Sequence, residues 1–307
     1  MKQTVYALIL LFLLNACVSG GHKIRIDGSS TVYPITEAVV EEFVKKNRNT
    51  KITVGHAGTG GGLKKFCRNE IDITNASRNI KKKEIEACKG NGIDFLELSV
   101  ALDGLAIVVH PSNDWAKDIT VAELKKMWEP AAQDKIKYWD QIRPTWPHKP
   151  LNLYGAGVSS GTYDYFTEAI MGESHASRGD YNASEDDNVL VSGIAGDPYA
   201  LGFFGVAYYE ENRDKLKLVP VDDENPNNGN GPILPTVENV KSGQYAPLSR
   251  PLFIYVNKLS ARRTDIQEFI HFYLENVADY TREVGYIPMS KEDYQKEMAK
   301  FQDFIKP

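Results

Sequence analysis

The apolar and polar positions of this chain change period repeatedly, and each change marks an element. KIRIDG at 23–28 alternates, which predicts a strand, and ITEAVVEEFVKKN at 35–47 carries apolar residues at helical spacing. KITVGHAG at 51–58 reads as a second strand, GGLKKFCRNE at 61–70 as a short helix opening on glycines, and IDITNAS at 71–77 as a third strand. KKKEIEACKGNG at 81–92 is a charged helix stopped by glycine. FLELSVALDGLAIVVH at 95–110 is the most strand-prone stretch and is long enough for two strands.

TVAELKKMWEP at 120–130 predicts a helix ended by Pro130, and an irregular segment rich in Trp and Pro follows. LNLYGAG at 151–157 begins a new strand that runs through a turn into an amphipathic helix, GVSSGTYDYFTEAIMG at 157–172. After ALGFFGVAYYEEN, KLKLVPV and the loop-like ENPNNGNGP, the opening style returns. PLFIYVN at 251–257 is a strand, DIQEFIHFYLENVADYTREV at 265–284 a long helix, and EDYQKEMAKFQDFIK at 292–306 closes the chain. Strand alternating with helix predicts an α/β sheet with crossover helices. The order suggests a first lobe, a middle lobe and a return to the first.

Composition narrows the partners. At 307 residues and 42% hydrophobic the chain can bury a sizeable core, and the length suits about two domains. A formal net charge of −5 without a clustered basic face argues against nucleic acid. The six histidines are scattered and the cysteines lack metal-ligand spacing, so no metal and no cofactor is expected.

The N-terminus carries an address. VYALILLFLL at 5–14, behind Lys2, is too short to span a bilayer and reads as the apolar region of a signal peptide covering residues 1–16. It ends in Leu14-Asn15-Ala16-Cys17, which resembles the lipobox of bacterial lipoproteins, with Cys17 acylated; a plain secretory signal with a chance cysteine is the alternative. Residues 17–21 form a linker. In an oxidising compartment Cys67 and Cys88 could close a loop worth on the order of 3 kcal/mol, or remain two buried thiols.

Three distant segments share one chemistry: Gly28-Ser29-Ser30-Thr31, Gly58-Thr59-Gly60-Gly61-Gly62 and Ser159-Ser160-Gly161-Thr162. Each sets hydroxyls and glycine at a strand-to-helix junction, where unpaired N–H groups and the helix dipole favour an anion. Singly, each could be no more than a helix cap. Together they point to one shared anion.

In combination, GSSTVYPITEAVVEEF, GTGGGLKKFC, DITNASR and SSGTYDYF resemble the periplasmic phosphate-binding proteins of ABC transporters, the PstS/SphX type. The resemblance runs from about residue 24 to the C-terminal helices. It implies a type II periplasmic-binding-protein fold, with lobe 1 from residues 22–107 plus 253–307 and lobe 2 from 108–252, joined by two strand crossings. It implies capture of inorganic phosphate in the interlobe cleft, without chemistry, and delivery to a membrane permease. A monomer is expected, exported to the periplasm or cell surface on a lipid anchor. Carried over as phosphate ligands are Ser30, Thr31, Thr59, Ser160, Gly161 and Thr162.

Two departures matter. Some members have an aspartate where this chain has Arg78, and an arginine where it has Gly155-Ala156-Gly157. Arg78 is then the substitute cation, its planar fork matching two phosphate oxygens, or else a surface arginine paired with a helix carboxylate. Phosphate keeps a proton at neutral pH and sulfate does not, so a selective site needs a buried carboxylate to accept that proton. Asp103, inside an apolar run, is the first candidate; Asp164 is second, and could instead orient Arg78. Each could also be an ordinary turn or helix-start carboxylate.

Other readings are weaker. Gly157-Val158-Ser159-Ser160-Gly161 matches the G-x-S-x-G nucleophile elbow, the basis of a serine-hydrolase alternative, yet only His175 and His271 follow it. GTGGGLKK lacks the Gly-Lys-Ser/Thr ending of a nucleotide loop. Tyr163, Tyr165, Phe203, Phe204, Tyr208 and Tyr209 suit a lobe core better than a sugar-stacking platform. Sulfate and molybdate stay open as other tetrahedral oxyanions.

Overall fold

The computed structural model describes residues 23–227 and 229–306, so the signal peptide, Cys17 and the linker lie outside the described residues. Eleven strands are described: β1 Lys23–Gly28, β2 Lys51–Val54, β3 Ile73–Ala76, β4 Phe95–Val109, β5 Ile119–Thr120, β6 Asn152–Ala156, β7 Asn182–Ser184, β8 Ala200–Gly205, β9 Lys217–Leu218, β10 Val221–Asp222 and β11 Ser249–Asn257. Nine of them form one sheet in the order β2-β1-β3-β11-β4-β8-β6-β7, with β9 also on β4; β5 and β10 pair separately.

The sheet divides by strand direction. β1 runs parallel to β2 and β3, and β6 parallel to β7 and β8, as right-handed strand–helix–strand units require. β11 is antiparallel to β3 and β4, and β4 is antiparallel to β8. The stretch long enough for two strands is one continuous strand of 15 residues. Its first part, Phe95 to Gly104, pairs with β11, and Leu105 to Val109 pairs with β8. No turn is needed inside it because Gly104 continues the ladder into the second half.

Two large cores sit on either side of that handover. Ile24, Val39, Leu98, Ala101, Leu252 and Ile270 belong to one, and Leu105, Val109, Trp128, Phe166, Phe203 and Leu248 to the other. The chain therefore leaves the first core between Ala101 and Leu105 and returns between Leu248 and Leu252. Ile287 is an exception to the sequential order: it lies in the C-terminal part yet packs into the second core, its backbone exchanging hydrogen bonds with Leu102 at 2.8 and 3.0 Å.

Helices cover the sheet as their patterns dictate. Tyr33–Lys46 starts on Pro34, ends on Lys45 and Lys46, and buries Ile35, Val39 and Phe43, one stripe at four-residue spacing. Phe43 meets Phe269 of the helix Thr264–Glu283 edge to face at 5.3 Å. In the second core Phe203 stacks on Phe166 at 3.8 Å and Tyr163 and Tyr165 are buried, so these aromatics build the lobe interior. Among the described residues no helix is long and apolar enough to cross a membrane.

Cys67 and Cys88 are joined by a disulfide, with Cα atoms 4.2 Å apart, inside a small third core with Leu63, Phe66 and Tyr255. It ties the helix Gly58–Phe66, which bears the glycine loop, to the helix Lys82–Gly90. Replacing both cysteines by serine opens a link between residues 21 apart and is expected to cost about 3 kcal/mol of unfolding free energy. Urea unfolding of the oxidised wild type against the double variant measures this, and equal midpoints would contradict it.

Candidate functional site

The first two hydroxyl loops are built around one carboxylate. Asp27, at the end of β1, accepts the backbone N–H of Gly28 at 2.8 Å and of Ala57 at 2.9 Å, and pairs with the Lys65 ammonium. It thereby fixes the starts of both loops to each other. A Cβ at Gly62 would overlap the Cα of Gly28, so the glycine helix reaches the end of β1 only because Gly62 bears no side chain, while Gly28, at φ +141°, leaves room for the Asn75 backbone of β3. Ser29 N–H donates to Asn75 O at 2.9 Å, which ties the first loop to β3.

The third loop arrives from the other lobe. Ser160 caps the helix Gly161–Met171, its hydroxyl accepting from Thr162 N–H at 3.1 Å, so the capping role is realised here. A Cβ at Gly161 would stand 2.8 Å from Thr31 Oγ1 and 3.1 Å from Thr31 N, which shows how closely the two lobes touch.

Around this contact lie two cavities that share Ser30. The first, about 290 Å³, is walled by Ser30, Thr31 and Thr59, by Ser77 and Arg78 beyond β3, and by Asp164, Glu168 and Arg250. The second, about 420 Å³, is lined by Ser160, Gly161 and Thr162 together with Glu185, Asp187, Tyr208 and Tyr286. The structure thus gathers all three loops at the lobe boundary. It does not set all the expected ligands on one wall, because the Gly161–Thr31 contact stands between the two sets.

Arg78 lines the first cavity and also pairs with a helix carboxylate, the second of its two sequence readings. Its two Nη atoms hold Glu84 at 2.9 Å each, Glu84 being the first-turn carboxylate of the next helix. The Glu84 hydrogen bonds raise its pKa, so its charge is permanent. Thr59 Oγ1 accepts from Ser77 N–H at 3.1 Å and shares a hydrogen bond with the Ser77 hydroxyl at the same distance. The Thr59 hydroxyl thus has its own partner in β3's extension.

Beside Arg78 and Lys81 the cavity has a second guanidinium, that of Arg250, which the sequence reading missed. Its Nε donates to Asp103 Oδ2 at 3.2 Å, its Nη2 to Thr31 Oγ1 at 3.1 Å, and its guanidinium lies 3.6 Å above the Tyr165 ring. Tyr165 is in turn fixed by donating to Pro247 O at 2.7 Å. Asp103 itself is behind this guanidinium, 2% exposed and absent from both cavity walls. Burial pushes its carboxyl above the usual range, against the pull of Arg250. The available signal was the one that singled out Asp103: Arg250 is a charge at the edge of an apolar run, and antiparallel pairing sets it directly opposite Asp103. An arginine at position 155 itself has no room, since a Cβ there would overlap the Phe203 ring.

Asp164 does not orient Arg78; its Oδ1 lies 2.9 Å from His175 Nε2. The hydrolase elements do not assemble. Ser159 takes Glu185 as the acceptor of its backbone N–H at 3.1 Å, and His271 packs edge-on to Phe301. Among the described residues no histidine hydrogen-bonds to Ser159, and no group of three or more His, Cys, Asp or Glu could hold a metal ion.

This fold and cleft define a two-lobed solute-binding protein, its lobes meeting on polar loops around a small cationic cavity. A family model described as a PBP superfamily domain matches residues 17–277. The chain is 48% identical over 289 residues to the protein SphX of Synechocystis sp., covering 93% of this chain and 84% of that one. It is 36% identical over 304 residues to the phosphate-binding protein PstS of Staphylococcus saprophyticus, covering 95% and 91%. A crystal structure of a possible phosphate binding protein from Planctomyces limnophilus superposes with a TM-score of 0.88 at 44% identity, covering 93% of this chain and 99% of that one. The chain belongs to the periplasmic-binding-protein superfamily and, within it, to the PstS/SphX family.

Asp187, on the second cavity, is pushed up to about 6 by burial and then by Asp186 and Glu185. A carboxyl whose folded value is raised favours the fold while protonated and costs stability as pH climbs from the unfolded value to the folded one. Asp187→Asn should therefore raise the melting temperature at pH 7.5 and leave it unchanged below about pH 4. Thermal unfolding across that range checks the sign, and a gain confined to low pH would refute it.

Proposed function

We propose that this chain is the solute-binding component of an ABC phosphate importer, capturing inorganic phosphate between its lobes and presenting it to a membrane permease without turnover. The observation that carries this is the convergence of Ser30, Thr31, Thr59, Ser77, Arg78 and Arg250 on one small interlobe cavity. Hydroxyls, loop N–H groups and two planar guanidinium forks are the donors a tetrahedral oxyanion needs once its water is gone. Ser160, Gly161 and Thr162 supply the face that arrives from the other lobe. Family membership supports the same ligand: the Staphylococcus saprophyticus relative is a phosphate-binding protein by name and the Planctomyces limnophilus one a possible phosphate binding protein.

The lobes would be residues 22–107 plus 253–307 and residues 108–252, hinging where β4 and β11 pass from one core to the other. Closure would pay for desolvating the anion by offering fixed donors in place of mobile water, and the closed form is what a permease can recognise. Export follows from the signal-like residues 1–16, with acylated Cys17 as the anchor of a monomeric lipoprotein.

Calorimetric titration of the signal-free, ligand-stripped protein tests the reading. One-to-one phosphate binding is expected, and no heat with phosphate would sink it. Arg250→Lys keeps the charge beside Asp103 but loses the fork and the stacking on Tyr165. It should weaken phosphate by roughly tenfold or more; an unchanged affinity would remove Arg250 from the ligand set.

A further inference from the structure

The end of the first lobe's sheet opposite the cleft is built from strand starts and the turns between them. β1 and β2 begin there side by side, Lys23 in register with Lys51. The turn that leads into β2 is closed by Thr50 N–H donating to Asn47 O at 3.0 Å. A groove of about 520 Å³ separates Asn49 and Thr50 of that turn from Arg262, Arg263 and Asp265. Arg263 Nη2 reaches Lys23 O at 3.5 Å, which ties this segment to the start of β1.

The cations of this pole fall into two sets. Arg25 and Arg263 hold the buried Asp72, Arg263 also holds Asp265, and Lys258 holds Asp94, so those charges are answered within the protein. Lys23, Arg48, Lys51 and Arg262 are all exposed, and among the described residues none of their side chains has a carboxylate or a hydrogen-bond partner. Glu268, exposed on the groove wall, offsets part of this charge, and the balance stays positive. The four stand apart in the sequence; strand pairing and the groove bring them to one surface.

We propose that this pole is a membrane-docking surface fitted to anionic phospholipid headgroups. The inference goes beyond phosphate capture and extends the anchor reading above. Cys17 stands six positions before Lys23, and six residues span at most about 20 Å. An acylated Cys17 therefore keeps this end of the protein, and no other, beside the bilayer. The full chain carries −5, which an anionic surface repels, but screening confines that repulsion to about 10 Å at 0.1 M salt. The membrane thus responds to the charges nearest it, and each Lys or Arg close to an anionic surface strengthens binding roughly fivefold. β1 starts at Lys23 and ends at Gly28, against the glycine helix, so docking by the pole leaves the cleft on the side away from the bilayer.

The test is sedimentation of the signal-free chain, which carries no acyl group, with vesicles of phosphatidylcholine alone or mixed equally with phosphatidylglycerol. Binding is expected only to the mixed vesicles and should vanish at about 0.5 M salt. Arg48→Gln combined with Lys51→Gln should weaken it about tenfold or more. Lys125→Gln combined with Lys135→Gln removes the same charge from exposed positions of the other lobe and should leave it unchanged. No sedimentation, or equal sedimentation with both vesicle types, would overturn the proposal. So would an equal loss in the two double variants, which would make net charge rather than this pole the cause. Mass spectrometry of the mature N-terminus tests the anchor separately: an unacylated Cys17 would sink that reading, while the vesicle result would still decide this one.

Discussion

The buried pair of Asp103 and Arg250 is the interaction on which this molecule's geometry turns. β4 and β11 run antiparallel across the boundary between the two cores, and the pair joins them at the crossing. The charges are 2% and 12% exposed in their side chains, so neither could be there without the other. Holding Nε on one side leaves the outward fork of Arg250 free to meet Thr31 and the ligand space. Tyr165 underneath keeps the guanidinium flat. The proposed hinge and the proposed binding group thus come from the same two strands.

The remaining parts of the cleft are set by backbone economy. Asp27 binds two loop starts and a lysine, and the missing side chain of Gly62 lets the glycine helix sit on the end of β1. Gly161 allows the opposing lobe to touch Thr31. Each of these positions exchanges side-chain volume for proximity of N–H groups, which is what anion capture requires. The segment around Ile287 adds a third attachment between the halves. It comes from the C-terminal part, pairs with Leu102 and packs in the second core, so the lobes are coupled by more than the two crossing strands.

Much of this was legible in the chain. Alternation at 23–28 and 251–257, helical spacing at 35–47 and 265–284, and glycine and proline stops gave the α/β order because those signals are local. The three hydroxyl–glycine junctions were legible for the same reason: helix N-termini attract anions wherever they occur. Their grouping at one boundary followed from the resemblance that their combination carries. Arg250 escaped because its meaning is cross-strand. Nothing near Ser249 or Pro251 says that the opposite residue is Asp103; only the register does.

What the sequence determined by itself is the set of elements and the chemistry available at their ends, since both depend on contacts within a few residues. Tertiary structure alone decided which charges line the interlobe cavity. It put Asp103 behind a guanidinium, gave Arg78 to Glu84, and set Asp164 beside His175. These outcomes depend on pairing across 147, 6 and 11 positions of chain, and except for Arg78 with Glu84 no periodicity or local propensity reaches that far. Long-range register and packing choose among carboxylates that are chemically alike.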